Sequence, residues 1–147
     1  MKWQIFTIGR PSLVYAKSGV KEYLDRLRHY APVLIRSVAK EGGKERNSRA
    51  LLDTSEGCFR VVMDERGCPF STPEFAKKIE NWRMDGAIKK IAVLIGGSEG
   101  HSTEVRESAD LLLSMSSFTL QHELALVVLL EQLYRAHTLL KGEPYHR

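Results

Sequence analysis

The sequence predicts a single α/β domain over residues 1–147, built on a mostly parallel sheet flanked by helices. Strand-length apolar runs alternate with segments of helical periodicity along the whole chain, with no linker, repeat or low-complexity stretch between them. One run, Ile91-Ala92-Val93-Leu94-Ile95, is apolar at every position, which marks a strand covered on both faces. A domain of about 150 residues buries about 68–70% of its unfolded surface, so it needs neither metal nor disulfide to hold it together.

The first run, Trp3-Gln4-Ile5-Phe6-Thr7-Ile8, is β-branched and aromatic and is stopped by Gly9. After Pro11 and Ser12, Val20, Tyr23, Leu24 and Leu27 recur on one helical face. Residues 32–38 read as a second strand, a basic loop with Gly42 and Gly43 follows, and Asn47 is placed to cap a short helix ending near Thr54. A third strand covers 58–63. Ser71-Thr72-Pro73-Glu74 opens a helix running to about Met84: serine accepts from the open amides, proline is tolerated in the first turn, and glutamate complements the helix dipole. Beyond the apolar strand, Gly96-Gly97 breaks the chain and Ser102 or Thr103 opens another helix. A short strand at 111–113 and a long helix over about 122–141 complete the alternation.

Composition excludes several classes. Cys58 and Cys68 lie ten apart without a second pair, and His29, His101, His122, His137 and His146 never recur at metal-ligand spacing. No structural metal is expected, and a reducing compartment is. The N-terminus has too few apolar residues for a secretion signal, and nowhere do about 18 apolar residues run together. The expectation is a soluble, cytoplasmic protein without membrane contact.

Net charge is +4, divided unevenly: residues 1–62 carry +6 and residues 63–147 carry −2. The basic density peaks at Arg36, Lys40, Lys44, Arg46 and Arg49, a patch of the kind that neutralises phosphates or simply faces solvent.

Ligands of parallel α/β sheets sit beyond the carboxyl ends of the strands. Three such ends stand out: the polar loop Asp64-Glu65-Arg66-Gly67 after Met63, the loop Gly96-Gly97-Ser98-Glu99-Gly100, and the run from Ser114 to His122. Gly-Gly-x-x-Gly lets backbone approach a ligand closely, although it lacks the dinucleotide-binding spacing and also serves as a plain tight turn. The last helix is apolar around its full circumference from Leu124 to Leu130, which implies burial on several sides or an oligomer interface. Polar residues then appear abruptly, with Glu131 and Arg135 in the favourable i,i+4 order and Gln132 and Tyr134 beside them. The chain closes on Pro144-Tyr145-His146-Arg147, a tail whose aromatic, imidazole and cation suit docking.

Five motifs, taken in order, carry a resemblance. They are Met63-Asp64-Glu65-Arg66-Gly67 with Ser71 and Phe75-Ala76; Ile95-Gly96-Gly97-Ser98-Glu99-Gly100; Ser116-x-x-Thr119-Leu120-x-His122; Glu131-Gln132-Leu133-Tyr134-Arg135-Ala136; and Pro144-Tyr145-His146. Their order and spacing resemble the RlmH family of bacterial ribosomal RNA large-subunit methyltransferases. The match runs essentially full length and includes Glu22-Tyr23 and Arg26-Leu27.

The resemblance implies a SPOUT fold with a C-terminal trefoil knot, working as a homodimer. It also implies S-adenosyl-L-methionine as methyl donor, no metal, and methylation of N3 of a pseudouridine (position 1915 of 23S rRNA) in the assembled ribosome. Carried over residue by residue, the cofactor site falls on Met63, Gly97, Ser116, Ser117, Phe118, Thr119, Leu120 and Gln121. Glu131, Arg135, Tyr145 and His146 are expected around the acceptor base, with Arg135 favouring its anion and Glu131 or His146 assisting proton removal. His122 is a further candidate base, or the cap of the last helix. Arg36, Lys40, Lys44, Arg46 and Arg147 are expected to hold RNA phosphates.

Three positions depart from the family pattern: Gln121 stands where proline is usual, Leu126 where arginine is usual, and Cys68 where lysine is common. The first is expected to loosen the cofactor loop and the second to remove a cation from RNA or cofactor. Two other readings stand beside methyl transfer: a SPOUT-like module that binds RNA or cofactor without turnover, and a generic α/β nucleotide-binding protein using Gly96, Gly97 and Gly100 on a phosphate.

Overall fold

The computed structural model describes residues 1–39 and 42–147. Lys40, one of the expected phosphate contacts, lies outside them. Five strands, β1 (Lys2–Ile8), β2 (Val33–Ala39), β3 (Phe59–Pro69), β4 (Lys90–Leu94) and β5 (Leu111–Ser114), form one sheet. Their order is β2-β1-β4-β3-β5, and every pairing is parallel. The all-apolar run takes the central place, where Ile91, Ala92, Val93 and Leu94 have no exposed surface.

Five helices cover the sheet: α1 (Val14–Leu27), α2 (Lys44–Thr54), α3 (Thr72–Met84), α4 (Thr103–Glu107) and α5 (His122–Leu140). On one face, Trp3, Ile5, Val61, Ile91 and Val93 pack with Leu27 of α1, Ile79 of α3 and Leu126, Leu129, Leu130 and Leu133 of α5. On the other, Phe6, Ile8, Val62, Ala92 and Leu94 meet Leu51 of α2 and Val105 of α4. This alternation of faces along each strand is the pleat at work.

Local signals place α3 and α4 as expected. The Ser71 side chain accepts from the Glu74 amide while Glu74 accepts from the Ser71 amide, a complete capping box with proline in the first turn. Ser102 caps α4 by accepting from the Val105 amide. Three expectations are corrected. Asn47 does not cap α2; Gly43 does, at φ +91°, and Asn47 sits inside the helix with its side-chain oxygen accepting from the Gly42 amide at 3.1 Å. Asp64-Glu65-Arg66-Gly67 is not a loop beyond a strand but lies within β3, whose pairing with β5 shifts between Met63 and Cys68. His122 does not cap α5; Gln121 does, its side-chain Oε1 accepting from the amides of Glu123 and Leu124.

Gln121 therefore replaces the usual proline with a working helix cap rather than a loose loop. Leu126 is buried in the core, so this chain presents no cation there. The circumferentially apolar stretch of α5 is buried on most sides, with Leu124 the more exposed exception and Val127 and Val128 half-buried.

α1 begins at Leu13 without a side-chain cap of its own. The need is met from α5: the Glu123 carboxylate accepts from the Ser12 amide at 2.5 Å and the Leu13 amide at 3.1 Å, and from the Ser12 hydroxyl at 3.3 Å. Burial pushes the Glu123 carboxyl up, but these amides outweigh it and hold it below the ordinary range. Glu123→Ala should lower unfolding free energy by about 2 kcal/mol in urea titrations, the scale of a charge-assisted hydrogen-bond set.

Two histidines are buried, His101 and His137. Burial lowers both: at His101 it outweighs Asp64 and the carbonyls of Leu94 and Met63, with Arg106 lowering further; at His137 it outweighs the Leu133 carbonyl, with Arg83 and Lys141 lowering further. The native state thus binds fewer protons than the unfolded chain just below the ordinary histidine value of about 6.5. Stability should be fully present above about pH 6.5 and fall as pH drops below it, before most carboxylates titrate. Urea midpoints measured across that range should show the fall, and His137→Leu should flatten it.

Candidate active site

The register of the sheet brings the bulge of β3 and the carboxyl ends of β4 and β5 together around a cavity of about 660 Å³. Met63 reaches it from β3, Ile95, Gly96 and Gly97 follow β4, and Leu113 and Met115 arrive with β5. Ser116, Phe118, Thr119, Leu120 and Gln121 line it from the segment leading into α5, and His122 and Ala125 from α5 itself. Of the eight residues expected at the cofactor, seven line this cavity; Ser117 points to solvent and is not among them.

Backbone geometry shapes the walls. The loop after β4 closes tightly, the Gly100 amide donating to the Gly97 carbonyl at 3.0 Å with Gly100 at φ +75°. A β-carbon at Gly96 would lie 3.0 Å from the Gly100 carbonyl carbon, so bare backbone is what fits. A β-carbon on Gly67 would meet the Leu112 carbonyl oxygen at 2.5 Å, which is why β3 can return to β5 after its bulge only through glycine.

The 116–121 segment is strapped down rather than loose. The Ser116 hydroxyl accepts from the Phe118 amide, and the Ser114 hydroxyl donates to the Ser116 carbonyl, each at 2.9 Å. The Thr119 hydroxyl donates to Glu65 in the β3 bulge. Tyr15 of α1 donates its hydroxyl to the Gln121 side chain at 3.3 Å.

The cavity carries both signs of charge, with Asp64, Glu65 and Glu99 facing Lys44, Arg66 and Arg106. His101 lies at its edge, 4% exposed, and neither ring nitrogen has a hydrogen-bond partner among the described residues. Sequence reasoning placed Arg66 at a candidate strand end but passed over His101 and Arg106; the one available signal for His101 was its place beside the glycine loop.

A second constellation stands farther along α5. The Glu131 carboxylate accepts from Arg135 at 2.9 and 2.5 Å, from the Tyr145 hydroxyl at 3.2 Å and from the Gln132 amide at 2.7 Å. Gln132 in turn accepts from the Thr72 hydroxyl at 2.7 Å, tying the cluster to the start of α3. An Arg135 nitrogen lies 3.4 Å from His146 Nδ1, and its guanidinium lies 4.7 Å from the centre of the Tyr145 ring. Burial, with Tyr23 and Glu131, raises the Tyr145 phenol above its ordinary value, so it stays protonated and donates. The four residues expected around the acceptor are thus together.

They are not at the cavity. Glu131 is six residues beyond Ala125, so it lies about 9 Å farther along the helix and is turned by about 120°. The basic residues are also divided. Arg36 and Arg46 are exposed on β2 and α2 and Lys44 is at the cavity rim, whereas Arg147 ends the tail on the α1 and α5 side of the sheet.

The family described as "Predicted SPOUT methyltransferase" matches residues 1–146. Ribosomal RNA large subunit methyltransferase H of Thermus thermophilus is 49% identical over 147 residues, covering 100% of this chain and 99% of its own. The enzyme of the same name from Deinococcus deserti is 39% identical, covering 100% of both chains. Two solved structures share the fold. A probable methylase family protein from Haemophilus influenzae has a TM-score of 0.60 at 13% identity, covering 99% of this chain and 70% of its own. TrmJ from Z. mobilis has a TM-score of 0.55 at 15% identity, covering 100% of this chain and 73% of its own. Alternating sequence, parallel sheet and strand-end cavity converge with these matches: the chain belongs to the SPOUT methyltransferases, in the RlmH family.

Proposed function

We propose that this protein is a cytoplasmic enzyme that methylates N3 of the pseudouridine at position 1915 of 23S rRNA in the assembled ribosome, with S-adenosyl-L-methionine as donor. The observation that carries the reading is the convergence of the β3 bulge and the ends of β4 and β5 on one cavity, with a polar cluster of opposite charges on the helix that leaves it. The relatives named as ribosomal RNA methyltransferases support the substrate. No helix among the described residues is long and apolar enough to cross a membrane.

The cavity fits the donor on its own chemistry. Its size lies in the range of small-molecule sites, and Met63, Ile95, Leu113, Met115 and Leu120 offer apolar walls for an adenine. The tight Gly97 to Gly100 turn brings backbone close, and Asp64, Glu65 and Glu99 suit the cationic groups of such a donor while Arg66 and Arg106 suit its carboxylate. When bound, S-adenosyl-L-methionine supplies an electrophilic methyl group on sulfonium.

The acceptor nitrogen is a weakly acidic imide, so the protein must stabilise its anion or take its proton. Arg135 supplies the fixed positive charge, and Glu131 holds that guanidinium through two of its nitrogens. Since an arginine N–H only donates, His146 accepts on Nδ1 and presents Nε2–H, a donor for an imidate oxygen. Exposed Arg36, Lys44, Arg46 and Arg147 hold phosphates around the modified loop.

The separation of cluster and cavity favours a homodimer, in which a partner's tail cluster completes each cavity. Leu13, Val14, Tyr15, Leu124 and Phe118 leave apolar surface exposed on the residues leading into α1, on α1, on α5 and beside the cavity, ready for such a contact. The knotted C-terminal segment of the family belongs to the same proposal.

Purified protein, labelled donor and ribosomes lacking the modification test the reading directly. Label should enter the pseudouridine of assembled ribosomes and not separated subunits; donor binding without incorporation would instead select the silent binding module. Glu131→Gln should lower kcat about 100-fold by freeing Arg135, with donor affinity in calorimetry unchanged. Gly67→Ala should do the reverse at the cavity, costing about 1–3 kcal/mol in unfolding experiments and weakening donor binding, because backbone rather than a flexible side chain stands in the way.

A further inference from the structure

We infer that Arg26 is a positioning residue for the C-terminal tail, holding the Tyr145 ring from α1 and through it setting His146 beside Arg135. This rests on the tail's part in methyl transfer proposed above.

Among the described residues, the last backbone hydrogen bond of the chain is donated by the Glu143 amide to the Thr138 carbonyl at 2.9 Å. Pro144 has no amide hydrogen to give. Residues 145–147 are therefore held by side chains, Glu131, Tyr134 and Arg135 from α5 and Arg26 from α1. The Arg26 guanidinium lies 5.7 Å from the Tyr23 ring centre, 5.4 Å from that of Tyr134 and 6.0 Å from that of Tyr145. Glu22, one turn earlier, accepts from Arg26 at 3.0 and 2.7 Å and fixes the plane of the cation.

The Tyr145 ring meets Tyr134 edge-on at 4.6 Å, with Arg135 4.7 Å away. It is thus held among two guanidinium groups and a tyrosine. Tyr30 extends the same dock: its hydroxyl donates to Glu143 at 2.5 Å, and that carboxylate pushes the phenol up to about 12. Lys141 lies 4.9 Å from the Tyr30 ring centre.

A guanidinium can serve several rings because it is planar and weakly hydrated, whereas an ammonium is a compact, strongly hydrated charge. Arg26→Lys is therefore a discriminating variant. It keeps the charge and a partner for Glu22 but not the stack. A phosphate contact would tolerate it, and a stacking clamp would not.

The experiment uses full-length protein, Arg26→Gln, Arg26→Lys and a chain lacking residues 145–147. Heteronuclear NOEs of the 145–147 amides report tail order, calorimetry reports donor affinity, and kcat and KM are measured on ribosomes lacking the modification. Both Arg26 variants should drop the tail NOEs to the values of a frayed terminus and lower kcat about 10-fold. Donor affinity should stay unchanged, since Arg26 does not line the cavity. In the tail-deleted chain Arg26→Gln should cost nothing further.

Wild-type tail order in Arg26→Gln would overturn the clamp. So would a raised KM at constant kcat that Arg26→Lys restores, the mark of a direct phosphate contact. If deleting 145–147 leaves kcat intact, the catalytic reading of the tail fails, while the NOEs still decide the clamp. Should Arg26→Gln fail to fold, Arg26→Lys carries the same readouts with the Glu22 pair retained.

Discussion

A buried carboxylate near the start of α5 joins the two ends of the chain. Glu123 closes the open amides of Ser12 and Leu13, more than a hundred residues earlier, and so fixes where α1 begins and how α5 is rotated. One turn on, α1 presents Gly19 to Val127; a β-carbon there would meet the valine side chain at 2.9 Å. The two helices can approach this closely only with hydrogen at that position. Because a helix is a stiff rod, fixing its first turn fixes the direction of everything it carries. Gln121, His122 and Ala125 are delivered to the cavity, and Glu131 and Arg135 to the surface where Tyr23, Arg26 and Tyr134 receive the tail.

The sheet imposes the complementary constraint. With every strand parallel, the bulge of β3 and the carboxyl ends of β4 and β5 fall on one edge, and the segments leaving them must share it. Crowding is resolved by removing side chains where backbones meet, at Gly67 against Leu112 and at Gly96 against Gly100. Polar groups then tie neighbouring segments to one another, as Thr119 does to Glu65 and the Lys44 amide does to Glu99 at 2.9 Å. The cavity is walled by mutually braced segments, which is the preorganisation a small-molecule site requires.

Much of this was legible in the residues. The apolar run at 91–95 identified the central strand, since only burial on both faces tolerates it, and the Ser71 to Glu74 box identified the start of α3 because a cap is a local transaction. What failed was decided at longer range. Asn47 has the right side chain for a cap, but Gly43 starts the helix earlier, and asparagine turns its oxygen back to Gly42 instead. Asp64 to Gly67 has the composition of a turn, yet β5 pairs with Cys68 and Pro69 beyond it and keeps the strand going. His101 gave no sign of its burial, which depends on residues distant in sequence such as Met63 and Leu94. The last donor segment runs straight into the helix that carries Glu131 and Arg135 and looks contiguous with them in sequence, whereas the helical turn from Ala125 to Glu131 sends them to different faces.

That division bears on the chemistry of Glu131. A carboxylate that removes a proton needs a lone pair aimed at it, and Glu131 Oε1 already accepts from two Arg135 nitrogens and Tyr145, while Oε2 accepts from Gln132 and keeps one site open. Tyr145, its phenol raised by burial, remains a donor and does not relieve the crowding. The bonds are partly shielded from water, with the Arg135 and Glu131 side chains 25% and 19% exposed, so they are less screened than a surface pair. Glu131 on this reading orients a cation, and the imide proton passes to solvent water as the Arg135 charge stabilises the anion. The same carboxylate that aims Arg135 also anchors Tyr145, so the anion-stabilising charge and the tail that accompanies it are set by one residue. Stabilising the imidate beside a fixed guanidinium asks less of any single group than abstraction by a carboxylate already engaged by four donors, and it places the burden of catalysis on geometry that α5 already provides.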